Sequence, residues 1–203
     1  MAENKEKLGL SIEDAKLVFR DATEEKEDTN DVDIQKPKIL IVDNYEIFIS
    51  GITRLLSYRF ENAQIFSDRT VQEALREVAE HSPDLAIIDL YISQKSGTTA
   101  EVEHGLGLLK QLMQDYPQLN LMVQSSSIKA LVRIKPEIDA HQGGFTIADK
   151  SESGETFLTL MEWAMQGFTH AKDLTRGLKS DLEIKPEWLK VLRLAFEEGL
   201  QDK

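Results

Sequence analysis

The 203 residues carry 36 Asp and Glu against 24 Lys and Arg, a formal net charge of −12, and no cysteine. That balance argues against the chain as a whole gripping nucleic acid through its phosphates, which takes clustered Lys and Arg. The missing thiols exclude disulfides and cysteine-based metal or redox chemistry.

No apolar run approaches the roughly 18 residues of a membrane span, and the charged opening MAENKEKLGLSIED lacks a signal-peptide apolar block. A cytoplasmic protein with no membrane partner is expected. Residues 1–36 hold 11 acids and 6 bases, a net of −5, and read as a solvated acidic extension or linker. One helix is expected within it, with Ser11 as N-cap and Leu8, Ile12, Ala15 and Phe19 sharing a face.

Residues 37–170 alternate short apolar runs with helical spacing. Lys38–Val42 is a continuous apolar run ending at Asp43, as expected of a strand buried on both faces. Ile47, Ile52, Leu55 and Leu56 mark the first helix, and Ala63–Phe66 the second strand. Val71, Ala74, Leu75 and Val78 give a second helix that Pro83 ends. Leu85–Ile88 is a third buried strand, again ending in an acid, Asp89. The segment Tyr91–His104 reads as a long loop in which His104 is solvated. Leu106, Leu109, Leu112 and Met113 follow at helical spacing, then a strand Leu121–Val123 that runs into Gln124-Ser125-Ser126-Ser127. Pro136 predicts a short or broken helix within 128–141. Phe145–Ala148 is the fifth strand, followed by Asp149 and Lys150, and Phe157, Leu160, Met161, Ala164 and Phe168 mark the last helix. Trp163 reads as core.

This alternation predicts an α/β fold, a doubly wound five-stranded parallel sheet, (βα)5, with helices on both faces. In such sheets the functional site lies beyond the C-terminal strand ends, at the switch in strand order. The residues placed there are Asp43, Asp89, Ser125 and Lys150. Two carboxylates at neighbouring strand ends suit a hard cation such as Mg²⁺. One of them can act as a nucleophile toward phosphorus, with a hydroxyl and a lysine contacting the phosphoryl oxygens. Gly105-Leu106-Gly107 is not a dinucleotide fingerprint, because the preceding strand and the third glycine are missing. His81, His141 and His170 show no metal-ligand spacing.

Residues 37–170 resemble the receiver domain of bacterial response regulators. The run Ile39-Leu-Ile-Val-Asp43-Asn44-Tyr45-Glu46-Ile47-Phe48, with Gly51 and Leu55-Leu56, is similar to the opening of the LuxR/NarL class. Pro83-Asp-Leu-Ala-Ile-Ile-Asp89-Leu90 resembles the phosphoacceptor strand, and Ser125 and Lys150 fall at the family's hydroxyl and lysine positions. The resemblance implies a two-component switch in which Asp89 takes a phosphoryl group and Ser125 and Lys150 contact it. Mg²⁺ would be held by Asp43, Asn44, Asp89 and the backbone carbonyl of Tyr91. It also implies a sensor histidine kinase or phosphotransfer protein as partner, a homodimer, and no turnover beyond self-catalysed phosphotransfer and dephosphorylation.

The chain departs from the family at three places. Asn44 stands where a second acid is usual, and the Tyr91–His104 loop is long. Ile147 occupies the switch-aromatic position, with Phe145 two residues earlier. Asn44 and the loop motivate the alternative of a phosphorylation-independent pseudo-receiver that acts as an interaction module. A phosphohydrolase of the haloacid-dehalogenase kind would need an acid at the position of Tyr91, and a flavodoxin would need a phosphate loop in place of Asn44-Tyr-Glu-Ile.

Residues 171–203 begin as a polar linker, and Lys185–Lys203 resembles the first helix of a LuxR-type helix-turn-helix. Pro186 suits the helix start, Trp188, Val191, Leu192 and Phe196 form a stripe, and Gly199 suits the end. Without a recognition helix the chain as given is expected not to bind DNA specifically, whereas a full-length form would.

Overall fold

The computed structural model describes residues 36–171. The helices expected around Ser11–Phe19 and Pro186–Phe196 lie outside the described residues.

Strand β1 is Lys38–Val42, followed by helix α1, Glu46–Arg59, strand β2, Gln64–Asp68, and helix α2, Val71–His81. Strand β3 is Leu85–Ile88, then come two short strands, β4, Ile92–Ser93, and β5, Ala100–Glu101, and helix α3, Val102–Asp115. Strand β6, Asn120–Gln124, leads into a 3₁₀ helix, Ile128–Ile134, and helix α4, Lys135–Ala140. Strand β7, Phe145–Ala148, helix α5, Gly154–Met165, and strand β8, Thr169–His170, complete the described chain.

The main sheet is parallel, in the order β2-β1-β3-β6-β7-β8. Its inner strands are buried on both faces, which is why β1 and β3 read as apolar runs and β7 as one interrupted only by the buried Thr146. Leu40, Val42, Ala86, Ile88, Leu121 and Val123 face one way and join Val71, Ala74 and Val78 of α2 and Leu106, Leu109 and Leu112 of α3 in one core. Alternate residues Ile39, Ile41, Ile87 and Met122 are equally buried, on the face covered by α1 and α5. Arg59 and Glu162 tie those two helices together with an ion pair at 2.8 Å.

Local chemistry sets the helix ends. The Thr70 hydroxyl accepts the Glu73 N–H at 3.2 Å and donates to the Glu73 carboxylate at 2.9 Å, closing the start of α2. Ser82 ends α2 in the left-handed region at φ 47, just before Pro83. Pro136 sits in the first turn of α4, where a missing N–H costs no helical bond. The segment 128–141 is therefore divided into a 3₁₀ and an α piece, as the proline suggested.

Three expectations need correction. The sheet has a sixth strand: Gly167, at φ 81, turns the chain after α5, and Thr169 pairs beside Phe145. Two polar residues give no apolar run to announce that strand. Phe168, expected on the last helix, lies past its end and is half exposed, whereas Trp163 is buried as expected. The Tyr91–His104 segment is an ordered hairpin running into the first turn of α3, not a plain loop. In it β4 and β5 pair antiparallel, and the turn is closed by Thr98 N–H to Lys95 O at 3.1 Å, with Gly97 at φ 81. The hairpin is fixed to its surroundings by Gln72 N–H to Gln94 O at 3.2 Å and by the half-buried His104, whose Nδ1 lies 3.1 Å from Ile92 O. Gly105 completes the attachment, since a Cβ there would overlap the Leu90 backbone. No helix among the described residues is long and apolar enough to cross a membrane.

Candidate phosphoacceptor site

The strand order reverses between β1 and β3, and the two acids of interest follow those strands. Val42 pairs with Ile88, and the Asp89 N–H donates to Val42 O at 2.8 Å, so Asp43 and Asp89 leave the sheet side by side. Both are nearly inaccessible, at 2% and 3% exposure. Lys150, just past β7, bridges them: its Nζ lies 2.6 Å from Asp43 Oδ2 and 2.8 Å from Asp89 Oδ2. Three residues far apart in sequence thus form one buried, charge-assisted cluster.

The remaining carboxylate oxygens differ. Asp43 Oδ1 accepts the Tyr45 N–H at 2.8 Å, which also shapes the turn into α1. Asp89 Oδ1 is buried without a hydrogen-bond partner. Burial pushes the Asp43 carboxyl above its ordinary value, aided by the Asp89 charge, while the bonds from Lys150 and Tyr45 oppose the rise.

Ser125 is buried beyond β6, whereas Ser126 is exposed. Its N–H donates to Ala148 O at 3.1 Å, tying it to the end of β7, and its Oγ accepts the Ser127 N–H at 3.2 Å. Asn44 is partly buried beside Asp43, and Tyr91 is 41% exposed just beyond Asp89. Of the aromatic pair raised by the sequence, Phe145 is fully buried and Ile147 nearly so.

The sequence pattern assigns no role to one further residue of the site. The Phe48 ring, in the first turn of α1, lies with its centroid 4.0 Å from Lys150 Nζ, and the Tyr45 ring lies at 5.6 Å. The apolar spacing of α1 marks Phe48 as a neighbour of the buried Ile49 and Ile52, but nothing local announces a lysine from the other end of the domain.

Among the described residues, a different group comes close enough to offer three ligand atoms to one ion: Glu77, Glu80 and His81. They lie on α2 outside the site. Glu80 is exposed, and His81 is already engaged, 3.4 Å from Glu77 and stacked on Phe66.

Solved structures share this arrangement of strands and helices. A LuxR-family two-component response regulator from Aurantimonas sp. SI85-9A1 matches over 79% of this chain and 99% of its own, at TM-score 0.54 and 17% identity. The CheY-like receiver domain protein from Methanospirillum hungatei JF-1 matches over 65% and 95%, at TM-score 0.52 and 16% identity. RcsB, in a structure of two dimers bound to two parallel DNAs, matches over 82% and 79%, at TM-score 0.58 and 19% identity. The described residues have the receiver fold. In sequence, the transcriptional regulatory protein DegU of Brevibacillus brevis is 24% identical over 94 residues, 46% of this chain. The match spans 36% of that relative's length. No protein-family model matches the chain. Within the receiver fold, Asp43, Asp89 and Lys150 meet at the switch in strand order, where doubly wound sheets bind ligands.

Proposed function

We propose that this receiver is the phosphoacceptor switch of a two-component system, with Asp89 as the residue phosphorylated. The observation that carries the proposal is the buried Asp43–Lys150–Asp89 bridge, with one Asp89 oxygen left unpartnered. A structural ion pair would be served by one carboxylate. Two acids around one lysine leave a net negative pocket suited to a cation and to phosphoryl chemistry.

The residues fit a hard divalent ion: the donors are carboxylate oxygens, and Asp89 Oδ1 is free to take a ligand. Asp43 and Asp89 would hold Mg²⁺, with the Asn44 amide and the Tyr91 carbonyl as weaker partners. When bound, Mg²⁺ would screen the repulsion between the carboxylate and an incoming phosphoryl group. An Asp89 carboxylate oxygen attacks phosphorus, the O–P bond forms, and the donor's P–N or P–O bond breaks with its electron pair leaving on the donor. The Lys150 ammonium passes from the Asp89 carboxylate to the phosphoryl oxygens, and the Ser125 hydroxyl turns from the Ser127 N–H toward them. The natural donor is a sensor histidine kinase or phosphotransfer protein. The output is a change of protein contacts, including those of a homodimer, in the control of transcription in the cytoplasm. Residues 1–36 then serve as an acidic extension, and 171–203 as a linker and the first helix of a LuxR-type helix-turn-helix.

Incubation with acetyl phosphate and Mg²⁺, read as intact mass, tests this. The expected result is one phosphoryl adduct that needs Mg²⁺ and is absent from Asp89→Ala. Asn44 supports the competing reading of a pseudo-receiver, and no adduct at any Mg²⁺ concentration, beside a working control receiver, would establish that reading instead.

A further inference from the structure

Lys150 is held by more than its two carboxylates. A lysine ends a flexible four-carbon stem, yet this side chain is only 8% exposed and its ammonium is fixed at two oxygens. The third close neighbour is the Phe48 ring, 4.0 Å from Nζ to the centroid, well inside the range over which a ring face attracts a cation. Tyr45 stands farther off, at 5.6 Å, and meets Phe48 edge to face, with centroids 6.4 Å apart at 69°. The first turn of α1 therefore presents an aromatic wall to a cation that arrives from β7.

We propose that Phe48 is a positioning residue that holds the Lys150 ammonium between Asp43 and Asp89. A ring suits this task for a physical reason. It attracts the ammonium without offering a hydrogen-bond acceptor, so it does not compete with a carboxylate, a metal ion or a phosphoryl oxygen. A third carboxylate in its place would add charge to an already crowded pair. Phe48 thus keeps the lysine at the site while its hydrogen-bond partner changes. Only this last consequence rests on Asp89 being phosphorylated; the hold on Lys150 does not.

The test is a double-mutant cycle on the full chain, Phe48→Leu against Lys150→Met, read by urea unfolding. Phe48→Leu should lower the folding equilibrium constant by about two- to thirtyfold more with Lys150 present than in the Lys150→Met background. Phe48→Tyr, which keeps the ring, should show no such coupling loss. Equal losses in both backgrounds would overturn the proposal. Should Lys150→Met fail to fold, the same cycle is run in Asp89→Asn, which relieves the uncompensated charge. Independently, the Lys150 ε-methylene protons should be shifted upfield by the ring in the wild type and in Phe48→Tyr. Unshifted protons in the wild type would equally sink the idea. With acetyl phosphate and saturating Mg²⁺, Phe48→Leu should slow phosphorylation by a similar factor, and have no further effect once Lys150 is Met. A wild type that takes no phosphoryl group would refute the function proposed above and leave the unfolding cycle as the test of Phe48.

Discussion

Three adjacent parallel strands deliver an aspartate to the same end of the sheet, and the three acids meet different fates. Asp43 and Asp89, after β1 and β3, share Lys150. Asp68, the last residue of β2, has no such partner: its Oδ2 is buried without a hydrogen bond. Burial, with Glu77 and Glu73 nearby, pushes the Asp68 carboxyl up to about 6 against a weaker pull from Arg76. The neighbours are close, since the Asp43 N–H donates to Asp68 O at 3.2 Å. A strand ending in an acid is thus no site by itself. What separates the pair from the third acid is the lysine that β7 brings in.

The comparison breaks most sharply when that lysine goes. Lys150→Met leaves two buried carboxylates facing each other without a counter-charge. Stability at neutral pH should fall by about 3–5 kcal/mol, the usual cost of removing one partner of a buried pair. Adding Asp89→Asn should recover a substantial part, as read by urea unfolding of both variants. If the single change proved neutral, the bridge would be an incidental contact. The effect next in size is on metal binding. Asn44→Asp adds an acid beside Asp43 and should tighten Mg²⁺ by roughly tenfold or more, given the strength of one added charge near a divalent ion. Titration of Mg²⁺ into both proteins would show it, and equal affinity would mean that residue 44 does not face the ion.

Much of this contrast was legible in the sequence, for definite reasons. β1, β3 and β7 lie in the sheet interior, so burial on both faces makes them largely apolar, with only Thr146 breaking β7, and their bounds follow from the sequence. Asp43, Asp89 and Lys150 could be named because each directly follows such a run. The edge strands were harder. β2 mixes exposed and half-buried residues, so its last residues, Ser67 and Asp68, carry no strand signal and no apolar run marks the third acid. β8 has only Thr169 and His170 and is held by pairing to β7, a tertiary cause with no local signal. The β4–β5 hairpin reads as loop because its polar turn carries no alternation, although Ile92, Ser93 and Ala100 of its own two strands are buried. Phe48 was visible as an apolar residue but not as the partner of a distant lysine.

The smallest effect sharpens the comparison from the other side. With its carboxyl raised from 3.8 to about 6, Asp68 favours the protonated form in the folded protein. At pH 7 both folded and unfolded chains carry the ionised group, and the folded state bears the cost of burying it. As pH falls through about 6 the folded protein takes up a proton before the unfolded chain does, and the cost fades until about pH 4. A shift of this size corresponds to about 3 kcal/mol before screening, and partial exposure reduces that to about 1–2 kcal/mol. Asp68→Asn should therefore stabilise the protein by about that amount at pH 7 and by almost nothing near pH 4, as measured by urea unfolding at the two values. The opposite sign at pH 7 would mean that Asp68 is compensated after all, and that the distinction between the bridged pair and the lone acid does not hold.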